Sequence, residues 1–323
     1  MTSSALKVGQ CLKGKSGIYT ITKQLYPTTW LATDATSRTV IVKRDHSKRV
    51  DTERALLRRF QGNPLFPPLI DEIIEEPRPD DDESAAIVLR YYDCHVGEVV
   101  AEDKGLAPRE SRYVGSCVLR ALRAMHAVGY IHTDVKPGNI LVNLREDGGG
   151  GDDMRFGDVC LADLGDALAT DSVEATSGYP YGTPVFRSPE ATLMMPFTTA
   201  HDIWSFGATM ISLIYGGKFS IFSPACKPDD ELYVDGIVRN FHKYFGPFPR
   251  SYLTLLGIDQ VRLEALTNII NEAKERGLFQ RASSTEISNK DRDFIWGLMK
   301  LDHRDRPTAA ALLEHEWFAG LDG

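Results

Sequence analysis

Apolar and polar residues alternate along three early stretches, "YTITKQL" (19–25), "TWLATD" (29–34) and "RTVIVKRD" (38–45). Alternation with β-branched and aromatic residues predicts strands with one buried face. "DTERALLRRF" (51–60) breaks that period and puts Leu56, Leu57 and Phe60 on one side of a helix, with the charges on the other. "AAIVLRYY" (85–92) is a continuous apolar run and predicts a buried strand. Beyond residue 94 the period changes. "ESRYVGSCVLRALRAMHAV" (110–128) spaces Val114, Val118, Ala121, Leu122 and Met125 as one face of a core helix, and "IWSFGATMISLIY" (203–215) predicts a fully buried one. Two segments predict exposed loops: the acidic, Pro-containing "EEPRPDDDE" (75–83), and a hairpin tip at the four glycines of "NLREDGGGGDDMRFGD" (143–158). These patterns give an α+β chain, with a small strand-rich lobe carrying one helix (1–93) and a larger, mainly helical lobe (94–323).

The 323 residues suit two lobes sharing one cleft, and 42% hydrophobic with 25% charged residues is ordinary for a soluble globular protein. The formal charge of −8 argues against direct nucleic-acid binding and is compatible with a basic protein substrate. Cys11, Cys94, Cys117, Cys160 and Cys226 are odd in number and lack zinc or redox spacing, which predicts free thiols in a reducing compartment. "MTSSALKVGQ" holds no signal-peptide core, and the 203–215 run is too short to span a bilayer. An intracellular protein, cytoplasmic or nuclear, is expected.

"YIHTDVKPGNILV" (130–142) is where chemistry enters. Between two strand-like ends it crowds an acid, a base and an amide into an irregular turn, which packing alone does not require. Together with "LADLGDA" (161–167), it sets Asp134 and Asp163 in loops at the ends of neighbouring strands, with Asn139 close by. One carboxylate and one amide suit Mg²⁺, which takes few protein ligands and leaves positions for phosphate oxygens. A second carboxylate can orient a hydroxyl and accept its proton, and Lys136 can neutralise a transferring phosphoryl group.

These segments resemble a known family. "HTDVKPGN" resembles the protein-kinase catalytic loop, "DLG" the DFG motif, and "VIVK", ending at Lys43, the VAIK strand. "TPVFRSPE" resembles the end of the activation segment, and "DIWSFG" and "LDHRDRP" the later motifs that buttress the helical lobe. The full set occurs in kinase order, so the chain is identified as a member of the protein kinase superfamily with a bilobal fold. "DVKPGN" and "GTP" resemble the Ser/Thr branch. HTD, "TWLATD" and "FGPFP" look most like SR-protein kinases and related fungal kinase-like proteins, which implies a basic or Ser/Arg-rich protein substrate.

Carried onto this sequence, the resemblance implies ATP and Mg²⁺ as cofactors. Lys43 would bind phosphates and pair with Glu53. Asp134 would be the base, Lys136 the γ-phosphate contact, and Asn139 and Asp163 the metal ligands. Thr183 would touch the loop around Asp134, Glu190 and Arg306 would form a buried ion pair, and Asp202 would hold the catalytic-loop backbone. His132 reads as structural, and Cys94 as an ordinary thiol near the adenine mouth.

Two departures stand out. "ITKQLYPTT" occupies the place of the Gly-rich loop and contains no glycine, while Gly14 and Gly17 read as an N-terminal turn. Thr133 stands where kinases carry an Arg that binds a phosphorylated activation segment. Asp166, Asp171 and Glu174 lie in that segment, so activity without its phosphorylation is expected. The missing glycines keep a pseudokinase scaffold as the alternative. A small-molecule phosphotransferase is disfavoured by the residues of a protein-substrate platform.

Overall fold

A computed structural model describes residues 6–74, 84–102, 105–145, 154–255, 260–272 and 277–321. The acidic 75–83 run and the four-glycine tip lie outside the described residues.

Six antiparallel strands open the chain: β1 (Cys11–Lys13), β2 (Ile18–Tyr26), β3 (Thr29–Asp34), β4 (Thr39–His46), β5 (Leu69–Glu72) and β6 (Ser84–Arg90), in the order β1-β2-β3-β4-β6-β5. β1 and β5 escape the alternation pattern because they are short edge strands. Gly14 and Gly17 form the turn between β1 and β2, where the Gly14 N–H donates to the Gly17 carbonyl at 2.8 Å.

Alternation decides which residues face the cleft. Val40 and Val42 of β4 pack with Ile21, Trp30, Ala86 and Val88 in a core on one face of the sheet. Their neighbours Ile41 and Lys43 therefore point to the opposite face. There lies α1 (Ser47–Arg59), whose buried stripe is Val50, Glu53, Leu56 and Leu57. Lys43 and Glu53 are thus aimed at each other by two periodicities. The helix begins four residues before the expected segment, which puts Arg49 one turn from Glu53 on the same side.

The chain crosses to the helical lobe through β7 (Cys94–His95), α2 (Val96–Glu102) and α3 (Pro108–Ala127). α3 has Pro at its first turn, where no N–H partner is needed, and Glu110 accepts from the Ala107 N–H at 3.2 Å. Next come β8 (Tyr130–Ile131), β9 (Ile140–Leu144), β10 (Phe156–Leu161) and β11 (Leu168–Ala169). β9 pairs with β7 and β10, and β8 with β11, so the loops after β8 and β10 emerge side by side.

Helices complete the lobe: α4 (Val173–Ser177), α5 (Pro189–Thr192), α6 (Ala200–Tyr215), α7 (Tyr233–Phe245), α8 (Ser251–Leu255), α9 (Gln260–Glu272), α10 (Asn289–Leu298) and α11 (Ala309–Leu313). α6 is buried on all sides from His201 to Leu213, as its unbroken apolar run requires, and Trp204 in its second turn packs against Phe222, Phe241 and Phe245. The result is the bilobal α+β arrangement, a curled antiparallel sheet with one helix followed by a helical body. The five cysteines are free thiols. Among the described residues, no helix is long and apolar enough to cross a membrane.

Candidate active site

A cleft of about 410 Å³ opens between the sheet and the helical body, and Thr29, Ile41, Leu89, Ala162, Lys43 and Asp163 are among its walls. Its two ends differ in chemistry. Ile41, Leu89 and Leu141 make an apolar slot, while Lys43, Glu53, Asn139 and Asp163 gather at the other end.

At that polar end, Lys43 Nζ lies 2.6 Å from Glu53 Oε2 and 2.5 Å from Asp163 Oδ1. Burial works against the Lys43 charge, but the two carboxylates outweigh it and raise its pKa above the ordinary lysine value. For Asp163 burial pushes upward, yet Lys43 and Arg49 pull its pKa down to about 2. Burial dominates at Glu53, whose pKa is raised despite Lys43.

Asp163 has φ +64°, a left-handed conformation that Asp tolerates better than most residues. Both of its cationic contacts go to Oδ1, at 2.5 Å from Lys43 and 3.9 Å from Arg49. Among the described residues, no three His, Cys, Asp or Glu side chains gather as a metal-holding group. One carboxylate plus the Asn139 amide oxygen fits Mg²⁺ completed by phosphate oxygens, and does not fit a protein-caged Zn²⁺ or Ca²⁺.

Asp134, from the loop after β8, is clamped on every side. Its Oδ1 accepts from Thr183 N (2.9 Å) and Oγ1 (2.7 Å), and its Oδ2 from Lys136 Nζ (2.6 Å) and Asn139 Nδ2 (3.1 Å). Burial raises its pKa, but Lys136 and the Thr183 bonds outweigh that and leave it lowered, so the group is ionised at neutral pH. Lys136 also donates to Thr183 Oγ1 at 2.9 Å, which closes a ring of three residues.

The loop itself hangs on Asp202 at the start of α6. Its carboxylate accepts from His132 N (2.8 Å), Thr133 N (2.9 Å) and His126 Nε2 (2.9 Å). His132 is fully buried, and its Nε2 meets the Ala162 carbonyl at 3.0 Å, which ties the two site loops together. Thr133 holds φ +72°, an uncommon state for a β-branched residue. Three bonds secure it, since its carbonyl meets His201 Nε2 at 3.0 Å and its Oγ1 donates to Asp166 O at 2.9 Å. Gly182 (φ +87°) is required beside it, because a Cβ there would sit 2.3 Å from the Thr133 carbonyl. Below this loop Arg306 and Glu190 form a bidentate pair at 2.8 and 2.7 Å with both side chains fully buried.

Two features were not read from the sequence. Arg49 of α1 pairs with Asp45 (2.7 Å) and Asp166 (2.8 Å), joining the helix to the turn after Asp163. Its spacing of four from Glu53 was the available signal. His95, not Cys94, lines the cleft. Cys94 pairs in β7 with Val142, and burial raises the pKa of its thiol. Where the glycines were missing, Pro27 and Thr28 make a two-residue hairpin turn between β2 and β3. The Thr28 carbonyl accepts from Arg44 N at 2.9 Å, so the turn is tied to the strand that carries Lys43, and Tyr26, Thr28 and Thr29 roof the cleft.

The family model for the protein kinase domain matches residues 31–318. A serine/threonine-protein kinase PknK of Mycobacterium tuberculosis is 30% identical over 54% of this chain, and the match spans 14% of that relative's length. Mitogen-activated protein kinase 12 of Homo sapiens is 26% identical over 85% of this chain and 67% of its own. A crystal structure of the yeast RNA Pol II CTD kinase CTDK-1 complex superposes with a TM-score of 0.72 at 17% identity, covering 93% of this chain and 92% of that one.

Proposed function

This chain belongs to the protein kinase family, and from that premise we propose that it transfers the γ-phosphoryl group of ATP to Ser or Thr of a protein. What carries the reading is a single arrangement: ionised Asp134, ringed by Lys136 and Thr183, stands at the edge of the cleft that holds the Lys43–Glu53–Asp163 cluster. The acceptor hydroxyl oxygen bonds to the γ-phosphorus while the bond to the β,γ-bridging oxygen breaks, and its proton goes to the Asp134 carboxylate. Lys136 neutralises charge on the moving group, and Lys43, held by Glu53, steadies the α- and β-phosphates. Asp163 and Asn139 would hold Mg²⁺, which would supply positive charge to offset that of the phosphates. Ile41, Leu89 and Leu141 supply an apolar seat for the base. Residues 1–93 then form the nucleotide side, and 94–323 the catalytic loop and substrate platform.

Free thiols and the −8 charge favour an intracellular setting, cytoplasmic or nuclear, with protein partners and no direct nucleic-acid contact. The Ser/Thr relatives and Thr183 on the loop support hydroxyl acceptors of that size. The SR-protein-kinase likeness rests on short motifs, and the basic or Ser/Arg-rich substrate it implies is one arm of the test. A pseudokinase is the second reading, favoured by the glycine-free turn at Pro27–Thr28.

The deciding experiment incubates purified protein with labelled ATP, Mg²⁺ and Ser-containing peptides of basic, Ser/Arg-rich and acidic composition. Phosphate transfer is expected, together with a rise in Tm on adding Mg·ATP. No transfer and no shift at millimolar Mg·ATP establishes the pseudokinase instead.

A further inference from the structure

A second cavity, of about 360 Å³, adjoins the nucleotide cleft and shares His95, Lys136 and Gly138 with it. Lys136 is therefore a wall between two spaces, and Asp134, bonded to Lys136, stands at the seam. If the nucleotide fills the larger space, an acceptor hydroxyl reaches Asp134 from the smaller one, and the residues beside it must lie along that cavity's walls. Val185 and Phe186, just after Thr183, floor it, and the end of α6 with residues 218–223 closes its far side.

The chemistry of those walls is one-sided. His95, Lys136 and Lys218 line the cavity, and no Asp or Glu does. Lys136 is committed to Asp134 at 2.6 Å, and His95 faces Glu98 at 3.6 Å. Lys218 has no ion-pair partner among the described residues. Ser212, Ser220 and Ser223 add hydroxyls. Ser212 is 5% exposed, yet its Oγ has no hydrogen-bond partner, a cost that a buried hydroxyl normally avoids by bonding. The backbone is also strained toward this place. After α6, Gly216 (φ +69°), Gly217 (φ +59°) and Lys218 (φ +62°) are three positive-φ residues in a row. Lysine has no preference for that state, and such outliers persist where the surroundings hold them, often at functional positions.

We propose that this cavity, on the side from which the kinase reading brings the acceptor peptide, selects an anionic side chain, carboxylate or phosphate, near the phosphorylated Ser or Thr. The assignment rests on the kinase reading above. An ammonium with hydroxyls along the same walls offers N–H and O–H donors to an anion, and charge-assisted bonds make it selective. An Arg or Lys there would meet Lys218 as a like charge with no carboxylate in the walls to offset it. The preference runs opposite to a basic or Ser/Arg-rich substrate.

The test uses the full chain and three peptides of equal length around one acceptor Ser: one flanked by Glu, one by phosphoserine and one by Arg. Binding is read by fluorescence anisotropy and transfer by kcat/KM at saturating Mg·ATP. The Glu or phosphoserine peptide is expected to exceed the Arg peptide by roughly tenfold in both measurements, which corresponds to about 1.4 kcal/mol. A larger gain for phosphoserine than for Glu assigns the site to phosphate, and the reverse order assigns it to carboxylate. Lys218→Glu should invert the order of acidic and basic peptides, with the Mg·ATP shift in Tm reporting that the variant is folded. If no peptide is phosphorylated but the acidic ones still bind through Lys218, the cavity's preference stands and the kinase reading falls. Equal or better binding of the Arg peptide, or an order that Lys218→Glu leaves unchanged, overturns the proposal.

Discussion

Replacing Arg49 by Met tests how α1 is held in place without a phosphate. In this chain two cations of the helix meet carboxylates in the middle of the activation segment: Arg49 bonds Asp166, and Lys48 bonds Glu174 at 2.9 Å. Thr133 carries no charge, and the Arg187 guanidinium is spent on the Tyr181 and Gly182 carbonyls at 2.8 and 2.6 Å. Ser172 Oγ accepts from Ala175 N at the start of α4, and Thr176 Oγ1 donates to the Ser172 carbonyl, so these hydroxyls already serve the local fold. Carboxylates therefore stand where a phosphate would otherwise be needed. Arg49 is 36% exposed and Asp166 33%, which screens their pairing, so we assign about 1 kcal/mol to each of the two charged bonds Arg49 makes. Losing about 1–2 kcal/mol from the α1 contact lowers the competent population roughly 5–30-fold where that contact is limiting. Lys48 is 78% exposed, so Lys48→Met should cost less than about threefold. The assay is steady-state phosphorylation by protein made in bacteria, phosphatase-treated and verified by mass spectrometry. Wild type should keep its rate, and Arg49→Met should lose about tenfold in kcat with Glu53 still intact. Full activity of Arg49→Met would refute the role of the pair. Collapse of the dephosphorylated wild type, restored by rephosphorylation of the segment, would refute the whole argument.

Asp134→Asn should keep Mg·ATP binding while lowering kcat by roughly 10²–10⁴, whereas Asp163→Asn should also weaken Mg·ATP binding; identical nucleotide titrations for both would break the assignment. Glu190→Gln leaves the Arg306 charge buried and should cost about 3–5 kcal/mol in urea unfolding. Arg306→Met should cost no less, because it also strands the Lys300, Leu301 and Ala200 carbonyls; a loss under about 1 kcal/mol for either change would contradict the pairing. The Asp163 pKa falls from the unfolded value near 3.8 to about 2 in the fold. Its contribution is therefore present above about pH 4 and lost as pH falls through that window, so Asp163→Asn should flatten the acid limb of a Tm-versus-pH profile between about pH 4 and 2; an unchanged limb would argue against the Lys43–Asp163 pair as its source.

How far the sequence reached is visible at Lys43 and Glu53. The helical pattern of 51–60 set its charges opposite Leu56 and Leu57, so Glu53 was matched to Lys43 only through the family resemblance, and the structure puts it on the buried stripe; period two along "VIVK", by contrast, made the orientation of Lys43 opposite Val42 legible in the sequence. The same holds for α6, whose unbroken apolar run could only be a helix buried on all sides. The 130–142 turn declared itself by holding groups that packing does not need, and the order of the motifs supplied the bilobal fold. Local pattern could not reach what depends on distant chain. β1 and β5 are edge strands too short to show a period, and they exist because β2 and β6 offer them backbone partners. Arg49 meets Asp166 across 117 positions. Ser212 and Lys218 acquire meaning only where the end of α6 turns back toward Lys136. Periodicity is set by the geometry of one element and survives in any context, so it can be read from sequence. Which charge ends beside which is set by how elements pack, and that is decided only when the whole core has closed around Trp204 and the sheet has settled over Asp134.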